Sequence, residues 1–347
     1  MSWATQVAER LGEGILASAV RGPEGVSWYG YELVRGSRPR RTERRLQDGS
    51  LYRGSAGVAL FLSELAWATG RADFRDVARE ALLFALHSKS DDGFPFSLYS
   101  GDVGTIFAAG AFLRRSDDAA LRSLAQELLS DLSENPADPG CDYIGGASGA
   151  IIGLLGIADV FGGDLVEPIC DRLGTHLLQL AFVEPQGLSW HSGVARGGNL
   201  CGLGHGAAGI GWPLLELSLR TGRDSFRLAA EEAFHYETSQ YDAGEGNWPD
   251  LRNNDLTEII TDGRIREVDT LLARGEPAPL YDKGFMTAWC HGAPGIGLTR
   301  ARAFQVLGTD RYRIEAEGAR ETTVRWLSLV WKSDSICHGS VGNAVAA

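Results

Sequence analysis

The sequence lacks the features that mark secreted, disulfide-stabilised and membrane-spanning proteins. Its 347 residues contain no run of about 18 apolar side chains, and the N-terminus shows no basic stretch followed by an apolar one, as a signal peptide does. The five cysteines are odd in number and irregularly spaced, which does not fit a disulfide framework. These absences favour a protein of the reducing cytoplasm.

Positive charge is also in short supply. The chain has 33 Lys and Arg against 45 Asp and Glu, a formal net charge of −12. Because such a surface repels phosphate groups, we expect neither nucleic acid nor an anionic membrane as a partner. Gly36–Arg45 is locally rich in arginine and is predicted to be a solvated loop, with an acidic leader peptide as the alternative partner of Arg38–Arg41.

Glycine, in contrast, is abundant and periodic. Apolar runs such as Val58–Leu62 follow most copies of a Gly-x-x-Gly step, and amphipathic stretches such as Phe74–Ala85 lie between copies. This predicts a repeat of one buried and one half-exposed helix, about 45 residues long, opened by a glycine turn. Such an all-α chain can stack as an open solenoid or close into an α/α toroid, and fully apolar inner helices favour closure. The six copies begin at Gly54, Gly101, Gly146, Gly206, Gly292 and Gly339.

Two of these turns carry a Cys-His pair directly before the first glycine, Cys290-His291 and Cys337-His338. Thiolate and imidazole are ligands that zinc prefers, and a catalytic zinc usually keeps three protein ligands and one open position. The spacing is not that of a zinc finger, so the two pairs have to meet through the fold. Inert buried thiols are the alternative interpretation.

The ordered set of motifs resembles the lanthionine synthetase C-like cyclases, most closely the cyclase domain at the C-terminal end of type 2 lanthipeptide synthetases. The resemblance implies a toroid of seven hairpins, about six of them present here, around one catalytic zinc per chain. It also implies Michael-type addition of peptide cysteine thiols to dehydroalanine or dehydrobutyrine, which closes (methyl)lanthionine rings. It rests on Leu51–Gly57, Gly202–Gly209, Gly246–Arg252, Trp289–Gly297 and Cys337–Gly342.

By position, the resemblance makes Cys290, Cys337 and His338 the zinc ligands and makes His205 and Asp142 catalytic. His291 is a further candidate for direct chemistry. A histidine is well matched to protonating an enolate near neutral pH, and Asp142 would orient His205 or help to deprotonate the thiol. Each also has a structural alternative: His205 bonded to backbone carbonyls, Asp142 as a helix cap, and His291 packed beneath the metal.

The same resemblance sets the expected organisation and partners. We expect one cyclase domain over 1–347, with an insertion at 238–284 and a C-terminus that stops short of a closing hairpin. The partners would be a dehydrated precursor peptide and, optionally, a separate dehydratase. Met286 and His291 stand where free-standing cyclases often have arginine and tyrosine, and both suit the fused type. Two other functions stay open: addition of glutathione or another thiol to dehydroamino-acid proteins, and an inactive, zinc-stabilised toroid that binds peptide.

Overall fold

A computed structural model describes residues 2–33, 42–88, 94–135, 139–193, 199–254, 284–327 and 333–347. Their long elements are all helices, so the predicted all-α character is confirmed. None of the described helices is both long and apolar enough to cross a membrane. The helices are α1 (Trp3–Ala17), α2 (Ser55–Thr69), α3 (Ala72–His87), α4 (Asp102–Leu113), α5 (Ala119–Glu134), α6 (Ala147–Leu155), α7 (Ala158–Phe161), α8 (Gly163–Gln179), α9 (Ala207–Thr221), α10 (Asp224–Ser239), α11 (Ala293–Leu307), α12 (Asp310–Leu327) and α13 (Ser340–Ala346).

A helix follows each of the six glycine turns, as the repeat predicts. The first glycine of each turn is the N-cap residue of that helix. The second glycine is required by close packing of the backbone, because an added Cβ would come closer than 3.0 Å to the carbonyl oxygen of the residue six positions earlier. Only glycine therefore lets the turn fold back against the start of its own helix. The positions at which this contact is recorded are Gly57, Gly104, Gly209, Gly295 and Gly342.

The backbone divides into two compact units. The first comprises Met1–Pro139 and Ile144–Cys170, and the second Gly140–Tyr143 and Asp171–Ala347. In the first unit α2 packs on α4 and α4 on α6, while α3 and α5 cover them. The apolar stripe predicted on Phe74–Ala85 is buried in α3, and it forms the core together with side chains such as Leu62, Ile106 and Leu121.

The second unit contains the Cys-His turns. Its helix α9 packs on α10 and α11, and α11 packs on α12 and α13. The largest side chains of its core are fully buried aromatic rings, among them Trp190, Trp248, Phe226, Phe234 and Tyr312. This packing brings the starts of α9, α11 and α13 into one unit, and these starts follow His205, Cys290-His291 and Cys337-His338 respectively.

One supersecondary module occurs twice, a feature that the glycine repeat alone does not predict. A helix, a two-stranded antiparallel hairpin, a glycine turn and two further helices occur in this order in α1–α3 and again in α8–α10. The first copy has an additional hairpin, Tyr29–Leu33 with Thr42–Leu46, between the shared hairpin and the glycine turn. The two helices after the turn have 15 and 16 residues in both copies. The hairpins are β1 (Val20–Gly22) with β2 (Gly25–Ser27), and β5 (Phe182–Glu184) with β6 (Gly187–Ser189).

The two copies also share the side-chain contacts that hold their elements together. After each hairpin a tryptophan indole donates at 2.8 Å to the preceding helix, Trp28 to Ile15 O and Trp190 to Leu177 O. An arginine stacks on the phenylalanine three positions later, with 4.1 Å between Arg71 and Phe74 and 4.3 Å between Arg223 and Phe226. The module in the second unit can therefore be compared, residue by residue, with a copy that lacks the candidate chemistry.

The structure corrects one loop prediction. Thr42–Leu46 is a strand, β4, paired antiparallel with β3 (Tyr29–Leu33), although Gly36–Arg45 was expected to be a loop. Exposed charged side chains do not prevent strand formation when the backbone pairs on one edge. Residues 34–41, including the Arg38–Arg41 stretch, lie outside the described residues.

The predicted insertion at 238–284 is described only at its two ends. β7 (Pro249–Asp250) pairs antiparallel with β8 (Gly284–Phe285), so the insertion leaves and re-enters the second unit at one place. A short 3₁₀ turn, Leu251–Asn254, follows β7. Residues 255–283 lie outside the described part of the chain.

Candidate active site and metal centre

The two Cys-His turns meet in the second unit. The sulfur atoms of Cys290 and Cys337 and a ring nitrogen of His338 all lie within 4.8 Å of one another, and Cys290 Sγ is 3.9 Å from His338 Nδ1. Both cysteines are buried, whereas His338 is exposed. Two thiols and one imidazole, open to solvent on the histidine side, match the donor set of a catalytic zinc site with one open position. The residues present therefore fit the metal that the sequence predicts.

The thiols have to lose protons before they can bind a metal. A hydrogen bond with Cys337, and then burial, raises the pKa of the Cys290 thiol far above its usual range. Because the thiolate is the form that binds a metal, such a pair has to release protons when a cation enters.

Arg252 places a positive charge beside this thiol pair, and sequence reasoning did not single it out. Its guanidinium donates to both carboxylate oxygens of Asp250, at 2.9 and 2.7 Å, and its Nη2 lies 3.2 Å from Met286 Sδ. Met286 in turn packs against Cys290 and Cys337. The positive charge lowers the pKa of the Cys290 thiol and so opposes the effect of burial. The signal was present in the sequence, since Arg252 ends one of the stretches that carry the family resemblance.

Asn247 closes the turn that carries Cys290. Its Oδ1 accepts the N–H of Ala293, the first residue of α11, at 2.8 Å, and its Nδ2 donates to Thr287 Oγ1 at 3.0 Å. Because the N-cap Gly292 has no side chain, a residue of the distant Gly246–Arg252 stretch supplies the cap. Asn343 of α13 donates to Thr287 O at 2.8 Å, which connects the helix after Cys337-His338 to the same turn.

His205 and Asp142 lie together, as the resemblance implies. His205 Nδ1 is 2.7 Å from Asp142 Oδ2, and both side chains are largely buried. Because a carboxylate only accepts hydrogen bonds, Nδ1 carries the proton in this pair, and Nε2 is the atom that can exchange a proton with a substrate. Asp142 is not a helix cap, since the nearest helix in sequence begins after the N-cap Gly146. The turn of His205 also touches the Cys290 turn, where Gly204 N donates to Cys290 O at 2.8 Å.

His291 directly follows Cys290 and is buried, with a ring centroid 5.8 Å from that of His205. Burial, and then the charge of Arg252, lowers the pKa of His291 to about 3, so the ring is neutral. Its Nε2 has no hydrogen-bond partner among the described residues. Burial of the neutral ring agrees with the packing alternative for His291, and it leaves Nε2 without accessible surface.

Two further buried groups complete the surroundings. Glu237 has no exposed surface and accepts the backbone N–H groups of Gly202 and Ala208, on either side of His205. The Trp248 indole donates to the backbone oxygen of Glu237 at 2.9 Å. Burial raises the pKa of the Glu237 carboxyl, while the charge of Arg300 lowers it. A single glutamate near a helix end carries no sequence signal of such a role, so only the structure reveals it.

The other cysteines do not join the cluster. Cys141, Cys170 and Cys201 are buried and form no disulfide, as the sequence interpretation expects. Burial, and then the charge of Asp142, raises the pKa of Cys141 to about 12. Its thiol donates to the backbone oxygen of His191 at 3.4 Å.

Comparisons with known proteins identify the family. The sequence model of the lanthionine synthetase C-like proteins matches residues 45–347. The chain is 24% identical over 312 residues to glutathione S-transferase LANCL1 of Danio rerio, covering 86% of this chain and 68% of that protein. Among solved structures, nisin cyclase is similar with a TM-score of 0.65 at 21% identity, over 97% of this chain and 80% of that one. The likeness confirms the predicted fold class, and the family match shows that the chain belongs to the lanthionine synthetase C-like proteins.

Proposed function

We propose that this chain adds thiols to dehydroamino-acid residues and that its reaction is the closure of (methyl)lanthionine rings in a dehydrated precursor peptide. One observation carries the proposal: the Cys290–Cys337–His338 cluster lies against the turn that bears His205, whose ring is fixed by Asp142. A site for a thiol-binding metal and a site for proton transfer are thus neighbours. The membership in the family supports the same chemistry.

The reaction needs one bond to sulfur and one proton at carbon. The thiol sulfur bonds to Cβ of the dehydro residue, the Cα–Cβ double bond becomes single, and Cα takes up a proton in place of the one lost from sulfur. When bound by Cys290, Cys337 and His338, zinc would lower the pKa of the substrate thiol. With Nδ1 protonated and bonded to Asp142, His205 Nε2 would take up the proton that the thiol releases and then deliver it to Cα. A donor group of the substrate would have to enter the buried site to reach His291 Nε2, which has no partner among the described residues.

The substrate determines the partners. Dehydroalanine and dehydrobutyrine form by dehydration of serine and threonine, so a dehydratase has to act on the precursor peptide before this chain does. We therefore propose a dehydrated, cysteine-containing peptide as the substrate and a separate dehydratase as the preceding enzyme.

A second candidate function has support of its own. The relative from Danio rerio is named a glutathione S-transferase, and a glutathione thiol would use the same metal ligands and the same proton donor. The two functions differ only in whether the thiol belongs to the chain that carries the dehydro residue. An inactive toroid that only binds peptide would retain zinc but show neither reaction.

The test is turnover of a dehydrated precursor by the zinc-loaded chain. Ring closure leaves the peptide mass unchanged and removes thiols that an alkylating reagent can count, whereas glutathione addition increases the mass. We expect His205→Asn to lower the rate by about 10²–10⁴-fold because the acid is lost. His235→Asn is the matched control, since that side chain is half exposed on α10 and should not affect the rate.

Zinc content tests the metal centre separately. About one equivalent is expected in the wild-type chain and in Cys170→Ala, and little in Cys290→Ala or Cys337→Ala. Full zinc retention in the double variant Cys290→Ala/Cys337→Ala would exclude these ligands. A zinc-loaded wild-type chain without turnover of peptide or glutathione would leave only the binding function.

A further inference from the structure

Glu237 is a buried carboxylate directly behind the turn that carries His205. It lies two residues before the end of α10 and has no exposed surface. Its Oε1 accepts the N–H of Gly202 at 2.6 Å and that of Ala208 at 3.1 Å. Because these two N–H groups stand on either side of His205 in the sequence, one carboxylate oxygen fixes both ends of its turn.

A buried charge destabilises a fold unless hydrogen bonds and an opposite charge compensate for the lost solvation. Closing a glycine turn does not require one. At α11 the neutral amide of Asn247 accepts the N–H of Ala293 at 2.8 Å, and the turn closes in the same way. Capping of the turn alone therefore does not explain why the residue at position 237 is charged.

The duplicated module provides an internal comparison. In the first-unit copy, Ala85 occupies the position before the end of α3 that Glu237 has in α10. The turn of that copy is closed locally, since Asp48 Oδ1 accepts the N–H of Ser50 at 2.9 Å. The residue before its first glycine is Arg53, where the second copy has His205. The buried carboxylate thus accompanies the copy that bears the histidine.

The second carboxylate oxygen leads to the helix behind the thiols. Arg300 of α11 is also fully buried, and its Nη2 lies 3.4 Å from Glu237 Oε2 and 3.0 Å from Phe234 O. Its Nε bonds Glu315 Oε2 at 2.5 Å, which holds the guanidinium from the other side. Since α11 begins just after Cys290-His291, Glu237 connects the His205 turn to the element that positions the thiol turn.

We infer that Glu237 is a positioning residue that sets the placement of His205 against Cys290, by holding both ends of the His205 turn and pairing with Arg300. The inference rests on the catalytic role proposed for His205. Removing the charge while keeping the side-chain shape should change the rate of ring closure more than it changes peptide binding or zinc content.

Glu237→Gln in the zinc-loaded full chain tests this. The amide keeps an acceptor for Gly202 and Ala208 but presents N–H donors to Arg300, so the pairing is lost. We expect kcat to fall about 10- to 100-fold, as for other groups that orient a reactive side chain, with KM and zinc content unchanged. Glu216→Gln is the matched control. It removes the ion pair with Arg302, which also joins α9 to α11 but lies in the helix bodies, and it should leave kcat unchanged.

A second measurement needs no turnover. The ring N–H of His205 that bonds Asp142 should show a displaced or broadened proton resonance in Glu237→Gln and not in Glu216→Gln. If Glu237→Gln does not fold, Arg300→Lys is the second variant, because it keeps the buried positive charge but loses the planar guanidinium group. It should produce the same fall in kcat and the same change of the His205 resonance.

The outcomes separate this inference from the proposed function. In a folded, zinc-loaded variant, an unchanged kcat or an unchanged His205 resonance would overturn the inference. If the wild-type chain shows no turnover, or His205→Asn keeps full turnover, the proposed function fails. The His205 resonance then decides by itself whether Glu237 places the ring.

Discussion

Replacing the second glycine of the His205 turn should damage both stability and the site. A Cβ at Gly209 would come closer than 3.0 Å to the carbonyl oxygen of Leu203, with Tyr143 Cβ at 3.2 Å on another side. The obstacle is backbone, which cannot rotate away as a side chain can, so the turn that carries His205 has to move. Overpacking of this kind costs about 1–3 kcal/mol. We therefore expect Gly209→Ala to lower the free energy of unfolding by that amount. It should also slow ring closure, because the turn that carries His205 is displaced.

Two other alanine substitutions are its controls. Gly318 lies inside α12, where a Cβ would meet nothing within 4 Å, so Gly318→Ala should stabilise the chain by about 0.5–1 kcal/mol through the lower entropy of the unfolded state. Gly57→Ala meets the carbonyl of Leu51 in the copy of the module without the histidine, and it should destabilise the fold without a direct effect on the site. Equilibrium denaturation and the rate of ring closure are the two assays. A Gly209→Ala chain as stable as the wild type would refute the close-packing explanation of the repeat.

Two further predictions concern the surroundings of the site. Asn247→Ala would leave the buried N–H groups of Ala293 and Trp248 without their acceptor, so it should lower the free energy of unfolding by about 1–3 kcal/mol and weaken zinc binding. Asn247→Asp keeps the acceptor and should have a smaller effect. Equal zinc affinity of the wild type and both variants in a competition titration would contradict this. Because burial raises the pKa of Cys141 to about 12, its thiolate is scarce at pH 8 and increases only as the pH approaches that value. Brief iodoacetamide treatment of the folded chain should therefore spare Cys141, as peptide mass spectrometry can check, and rapid labelling there would show that the thiol is exposed.

The helices that follow the glycine turns could be predicted because the sequence marks their starts with one signal, the Gly-x-x-Gly step. Most glycine steps precede an apolar run, and the structure begins a helix after each of the six steps. The hairpins of the duplicated module were not predictable in this way. Their strands are three residues long, too short to show alternation, and they are held by contacts distant in sequence, such as Trp190 to Leu177. The copies share residues as well as lengths and contacts, since Gly25, Ser27 and Trp28 match Gly187, Ser189 and Trp190. These residues lie outside the glycine steps from which the repeat was predicted.

Some residues of the candidate site could likewise be predicted from the sequence, and others could not. Cysteine and histidine before a glycine are chemically distinctive, so Cys290, Cys337, His338 and His205 could be selected from the sequence, and the resemblance added Asp142. The groups that hold them were missed because their types are common. Asn247 and Glu237 act by accepting backbone N–H groups of turns that are distant in sequence, and no spacing rule predicts such partners. Their role becomes apparent only from the structure, which shows the N–H groups that they accept.

The glycine turns themselves explain why distant residues gather at the site. A glycine N-cap has no side chain that could accept the first N–H groups of its helix, so other oxygens have to accept them. In the first-unit copy the backbone oxygen of Asp48 accepts the N–H of Ser55, the first residue of α2, at 2.9 Å. In the turns that bear His205 and Cys290, the side chains of Glu237 and Asn247 accept the N–H groups of Ala208 and Ala293. The residue before the first glycine is then available for chemistry, and it is histidine in three of the six turns. The same geometry that forbids a side chain at the glycine thus makes the placement of each reactive side chain depend on a partner elsewhere in the chain.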